Sequence, residues 1–257
     1  MTVLKSEDLR FAQGKFRLHD INLEFPQGKM TAIVGPNGSG KSTLLKLFAR
    51  LLKTDSGNVT LDNQLILKYK RKEYAKKIAM LLQAKEIMPN ITVKELVAYG
   101  RVPFQKLAGT ASAEDKEIIA WAIKETGLEK MADRMVGHLS GGEMQRARIA
   151  MALAQKTPVL LLDEPTTYLD ITHQLELMKL LTRINKTYQI TIIMVLHELQ
   201  YAGAYSDNLI VMKDGAVYQT GKPQSILTAQ LLKDVYEIDA RIKFENNYPI
   251  IIPNYEI

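Results

Sequence analysis

Residues 35–43 read Gly-Pro-Asn-Gly-Ser-Gly-Lys-Ser-Thr, and that order suits the cradling of a polyphosphate. Gly35, Gly38 and Gly40 let the backbone wrap an anion so that successive amides and the following helix N-terminus point at it, while Pro36, Asn37 and Ser39 complete the turn. Lys41 then supplies a cation for the β- and γ-phosphates, Ser42 a hydroxyl for Mg2+, and Thr43 a donor placed to reach the α-phosphate. The pattern G-x-x-x-x-G-K-[ST] is met at every position. A strand-like run (30–34) precedes it and a helix-like segment (42–50) follows, as the motif requires. A glycine-rich turn with an incidental Lys-Ser is the plain alternative, and it leaves that context unexplained. The expected ligand is a purine nucleotide triphosphate.

A second group of residues reads as the other half of such a site. The run 159–165, Val-Leu-Leu-Leu-Asp-Glu-Pro, is an apolar strand that delivers two adjacent carboxylates to the edge of a sheet. Asp163 suits Mg2+, through water, and Glu164 suits polarising or orienting an attacking water. Alone, the run is a strand ending in a polar turn before Pro165; beside a phosphate loop the carboxylates read as a site. Residues 139–145, Leu-Ser-Gly-Gly-Glu-Met-Gln, form a second glycine-rich helix start, offering Ser140 and the amides of Gly141 and Gly142 to another anion. These two helix ends either converge within one subunit or meet around one nucleotide when two copies face each other; spacing leaves both open. Gln83 and His197 stand at the ends of strand-like runs, where a parallel sheet builds its site, although each alone is commonly a local hydrogen-bonding residue. The histidines are scattered, and Tyr201 stands where H-E-x-x-H after His197 needs a second one, so no zinc site is expected.

The elements that must hold these residues follow from periodicity. Continuous apolar runs at 30–34, 78–82, 159–162, 191–195 and 209–212 are of strand length and suit strands covered on both faces, and longer amphipathic segments lie between them. That alternation predicts an α/β fold. Shorter antiparallel strands are expected before Met30, at 56–61 and at 215–219. Thr92 with Glu95, and Ser140 with Glu143, have capping-box spacing, and Gly127 closes a helix from about Ala113 whose Trp121 reads as packing. The chain has 257 residues, with 34 basic against 28 acidic, a net charge of +6. That is ample for a core, and 46% hydrophobic with 24% charged residues excludes a disordered or fibrous chain. No apolar run approaches the roughly 18 residues of a membrane span. The first eight residues carry no export signal, which makes a cytosolic chain the expectation. With no cysteine, disulfides, thiolate metal sites and a cysteine nucleophile are excluded. Lys68, Lys70, Arg71, Lys72, Lys76 and Lys77 form a basic run that reads as a solvated helix face ahead of a headgroup or nucleic-acid contact.

Taken together, these segments resemble the ATP-binding subunit of ABC transporters over essentially the whole chain, and residues 139–143 are the most discriminating part. The resemblance implies a P-loop ATPase with a mostly parallel core sheet, an antiparallel β subdomain and a helical subdomain. It makes 1–257 a single ATP-binding domain, with the helical subdomain at about 84–157 and a short C-terminal extension at about 235–257. It also implies ATP with Mg2+ and assigns roles residue by residue. Gln83 resembles the Q-loop glutamine that touches Mg2+ and the attacking water, Asp170 the D-loop aspartate, and His197 the switch histidine at the γ-phosphate. Phe11 or Phe16 would stack on adenine. A head-to-tail homodimer sandwiching two ATP molecules follows from the family, as do a separate membrane permease, a peripheral place on the cytoplasmic side of the membrane, and an external substrate-binding protein reached through the permease. Nucleic acid is not expected. Residues 163–176 and 195–199, with 235–239 and 249–253, are similar to the ATPases of iron-chelate importers, which serve ferric siderophores, haem and cobalamin. Leu82 and Glu198 depart from that group's usual proline and aspartate without touching a catalytic role. The segment from Pro89 to Phe104 is the expected permease-docking surface, against an ordinary surface loop and helix. A soluble ABC-type ATPase remodelling ribosomes or DNA is the alternative; such chains usually carry two cassettes or a long coiled-coil insertion, and this one has neither.

Overall fold

The computed structural model describes residues 2–83, 90–105 and 112–254. Its chain falls into two compact units, the first made of 1–68, 162–164 and 191–257, the second of 69–161 and 165–190.

Unit 1 opens with two long strands, β1 (Thr2–Gln13) and β2 (Phe16–Pro26), paired antiparallel. Shorter strands were expected from the sequence. The alternation is broken where Asp8 and Asp20 adopt positive φ of 46° and 54° and the register shifts, so a period-two reading loses the strand. Asn22 bridges the irregularity, accepting from the Asp8 amide at 2.9 Å and donating to its carboxylate at 3.2 Å. Leu18, Ile21, Leu23 and Phe25 still face the core. With β3 (Met30–Val34), α1 (Lys41–Phe48), β4 (Ser56–Leu61) and β5 (Gln64–Leu65) placed, one sheet runs β2–β1–β4–β5.

Unit 2 starts with α2 (Arg71–Ala75), β6 (Ile78–Leu81), α3 (Val93–Ala98) and α4 (Ala113–Glu125), followed by α5 (Gly141–Ala154), β7 (Val159–Asp163) and α6 (Ile171–Tyr188). Strand β7 neighbours β6, and its last two residues, Leu162 and Asp163, belong to unit 1. The capping boxes at Thr92 and Ser140 form as the spacing predicts. A buried ion pair that spacing did not reveal ties two segments of this unit. Arg101 Nε lies 2.7 Å from Asp115 Oδ1, and Arg101 also donates to the Ala154 carbonyl at 2.9 Å. Its guanidinium holds the Asp115 carboxyl below the usual range. Trp121 packs edge-on against Tyr188 and donates to its hydroxyl at 3.0 Å. In the basic run Tyr74 is buried, Lys72 donates to the Gln105 carbonyl, and Lys76 stands 5.1 Å from the Phe104 ring centre; the other basic side chains of 70–76 are exposed.

The remaining elements return to unit 1: β8 (Thr191–Val195), α7 (Leu199–Tyr205), β9 (Asn208–Lys213), β10 (Ala216–Gly221), α8 (Pro223–Ile226) and α9 (Ala229–Tyr236). Strands β10–β9–β3–β8 stand side by side, with β3 parallel to β8 and β9 and β10 antiparallel to β9. All five residues of β3 and of β8 are buried, which is why both read as unbroken apolar runs. A hairpin of β11 (Ala240–Glu245) and β12 (Tyr248–Pro253) follows, turning at Asn246–Asn247, both with positive φ as a tight two-residue turn demands.

Candidate functional site

Strand β3 ends at Val34 and releases the chain into the glycine loop, and α1 begins at Lys41. Gly40 caps that helix in a left-handed conformation, φ 103°, and a Cβ there would lie 2.4 Å from Leu18 and 2.9 Å from the Phe16 ring. Only glycine meets both demands. Lys41 is 5% exposed; its Nζ donates to the carbonyls of Gly35 and Pro36, each at 2.8 Å. Burial pulls its pKa down, and the charges of Glu164 and Asp163 oppose that shift. The ammonium therefore stands inside its own loop beside two carboxylates, one proton short of full use.

Ser42 meets Asp163 directly, its hydroxyl donating to Oδ1 at 2.7 Å. Burial pushes the Asp163 carboxyl above its usual range; the Ser42 bond and the cations Lys46 and Lys41 act against that. Strand β7 carries Asp163 as its last residue, one step beyond the expected end of the run. A hydroxyl and a carboxylate converging in a partly buried setting fit Mg2+, which takes one or two protein oxygens and completes its shell from phosphates and water. Among the described residues there is no larger His, Asp and Glu cluster suited to a metal.

Glu164 follows in a left-handed backbone conformation, φ 51°, rare for a residue with a side chain. His197 Nε2 lies 2.7 Å from Glu164 Oε1, so the structure brings together two residues 33 positions apart that the sequence singled out separately. A cavity of about 220 Å³ is lined by Phe16, Asn37, Gly38, Gly40, Lys41, Ser42, Thr43 and Glu164. It gathers a phosphate cradle, an aromatic ring and a carboxylate that could accept a proton from water. Phe11, in contrast, is 8% exposed in β1 opposite Leu18, a core residue outside this cavity; Phe16 is the aromatic that faces the loop. Pro36 and Ser39 line a neighbouring cavity of about 380 Å³ with Lys213, Val235 and Tyr236, and the Gly35 amide bonds the Tyr236 hydroxyl. A further cavity of about 530 Å³ between β2 and β9 contains none of the motif residues.

The other motif residues lie in unit 2. Ser140 caps α5, accepting from the Glu143 amide at 3.3 Å, while Glu143 returns a carboxylate to the Ser140 amide at 2.7 Å. That bond holds the Glu143 carboxyl below its usual range. Gly141 is exposed and Gly142 buried. Asp170 caps α6, accepting from the His173 amide at 2.9 Å. Gln83 follows β6 and is exposed. His173, one of the scattered histidines and not among the expected site residues, sits in this group. Its signal was its place three residues after a capping aspartate. Pro89, the start of the expected docking segment, lies outside the described residues; Tyr99, Val102 and Met135 are about half exposed.

The ABC transporter family model matches residues 18–167. The chain is 46% identical to the iron(3+)-hydroxamate import ATP-binding protein FhuC of Bacillus subtilis strain 168, over 94% of this chain and 90% of that one. It is 45% identical to the petrobactin import ATP-binding protein FpuC of Bacillus anthracis, over 93% and 88%. Among solved structures, a dimeric ATP-binding cassette in a post-hydrolysis state with ADP and Pi is 30% identical, with a TM-score of 0.72 over 86% of this chain and 98% of that one.

Proposed function

The chain belongs to the ATP-binding family of ABC transporters, and from that membership we propose that it hydrolyses ATP to power import of an iron chelate, a ferric siderophore foremost, through a separate membrane permease. The observation that carries the hydrolytic reading is Glu164, held by His197 at 2.7 Å on the wall of the phosphate-loop cavity. The chelate class is supported by the two import proteins at 45% and 46% identity.

In this reading the loop amides and Lys41 bind the β- and γ-phosphates, and Phe16 stacks on adenine. Ser42 and Asp163 would hold Mg2+, which when bound would supply charge neutralisation of the phosphates, and Gln83 carries the Q-loop role that the resemblance implies. Glu164 orients a water and takes its proton at Oε1, and His197 keeps that carboxylate in place from Nε2. Ser140, Gly141 and Gly142 of one subunit contact the nucleotide of the other, with Asp170 beside them, so that ATP closes a homodimer and hydrolysis opens it. The relative that is dimeric with ADP and Pi bound supports the dimer in this reading. No helix among the described residues is long and apolar enough to cross a membrane. By likeness to the import ATP-binding proteins, the chain sits peripherally on the cytoplasmic side, with Tyr99, Val102 and Met135 offering exposed apolar surface to the permease and an external binding protein supplying substrate beyond it.

The test is affinity purification of the tagged chain from detergent-solubilised membranes, followed by uptake of radioactive ferric hydroxamate in cells carrying the chain or its Glu164→Gln variant. A polytopic permease in near-equal amount, with uptake lost in the variant, is the expected result. Partners confined to ribosomes or DNA would overturn it.

A further inference from the structure

We propose that His173 is a positioning residue: its ring clamps the signature turn 140–142 to the Asp170 turn, setting where the signature amides stand when two subunits close on ATP. The proposal rests on the dimer reading above.

Two contacts of one ring carry it. His173 Nδ1 lies 2.7 Å from Asp170 Oδ1, the same oxygen that accepts the His173 amide at 2.9 Å. An ionised carboxylate only accepts, so Nδ1 bears the proton. The opposite edge of the ring lies against Gly142, where a Cβ would come within 2.2 Å of His173 Cδ2 and 2.7 Å of Cγ. The ring therefore occupies the space that any larger residue at 142 would need. Two flanking bonds extend the clamp along the same pair of elements. Gln145 Nε2 donates to the Pro165 carbonyl at 2.8 Å, and Arg146 pairs with Glu176 at 2.9 Å. The amide and ring bonds from His173 also hold the Asp170 carboxyl below its usual range, keeping it charged and able to accept both. A histidine outside the glycine turn thus sets that turn's floor and the orientation of the neighbouring aspartate together. The phosphate loop, in unit 1, takes no part in the clamp.

The experiment measures ATP-dependent dimerisation by sedimentation in Glu164→Gln chains, expected to bind ATP without turning it over, carrying His173 intact, His173→Leu or His173→Asn. Leucine fills the space without a donor; asparagine keeps a donor near Nδ1. Loss of one such charge-assisted bond should weaken dimerisation about tenfold in the leucine chain, with ATP affinity of the monomer unchanged, and asparagine should recover most of it. A leucine chain that dimerises like its parent overturns the proposal, as does an asparagine chain as impaired as leucine. Failure of the parent itself to dimerise would fall on the dimer reading. Hydrogen exchange at the 141–145 amides of the nucleotide-free chain then decides for His173: faster exchange in His173→Leu supports the clamp, and unchanged exchange overturns it.

Discussion

Lys41 and Ser140 stand at the glycine-rich starts of two helices, one in each unit, and their surroundings differ. Lys41 is buried among its own loop carbonyls with Asp163 and Glu164 close by, so the first helix start gathers a cation, a hydroxyl and two carboxylates within one unit. Ser140 and Gly141 are exposed, and the acid nearest their amides is Glu143, already bonded to the Ser140 amide. A phosphate arriving there meets a carboxylate in the first turn, which weakens the helix terminus as an anion site on its own. Under the proposed function the difference implies a division of labour: the first end would bind ATP unaided, and the second would act on a phosphate that something else has already placed.

The same substitution made in both regions breaks or sharpens that contrast. Glu164→Gln should lower steady-state ATP turnover on the order of 1,000-fold with ATP binding retained, whereas Glu143→Gln should cost less than about tenfold; equal losses in a phosphate-release assay would erase the distinction. Lys41→Ala should weaken ATP binding by about 100-fold, and Ser140→Ala by less than about twofold in the monomer, as read by titration calorimetry. Between the two aromatics, Phe16→Ala should cost about 1 kcal/mol of ATP affinity through lost stacking. Phe11→Ala should instead lower the unfolding midpoint and spare ATP affinity.

The finest contrast is in pH. Burial raises the Asp163 carboxyl, so the folded chain holds that proton more tightly than the unfolded one, and stability falls as pH rises from the ordinary aspartate range through the raised value. Asp163→Asn should therefore raise the unfolding midpoint at neutral pH and leave it unchanged at acid pH. Asp170 has the opposite sign. Its carboxyl is lowered by the His173 bonds, and its contribution is present above the ordinary aspartate range and lost as pH falls through the depressed value. Asp170→Asn should lower the midpoint at neutral pH alone, and thermal scans at both pH values read the two signs directly.

The sequence disclosed the parts of this molecule that are locally complete. The phosphate loop between β3 and α1 is legible from nine contiguous residues, and the capping boxes at Thr92 and Ser140 span three positions. What depends on irregular backbone or distant partners stayed hidden. The bulges at Asp8 and Asp20 disguised β1 and β2 as shorter strands. Phe11 and Phe16 are alike as residue types, and only burial tells them apart. The Glu164–His197 and Arg101–Asp115 pairs join residues 33 and 14 positions apart, beyond the reach of a local pattern.

Glu164 has a left-handed backbone, and that single torsion sets stability against function. A side chain in this region costs about 1–2 kcal/mol that glycine would not, so Glu164→Gly would relax the turn after β7 while removing the carboxylate. Directed evolution for heat resistance alone would drift toward a sturdier protein that has forgotten its chemistry. Homologues that keep an acid at this torsion are, for the same reason, the ones to suspect of turnover.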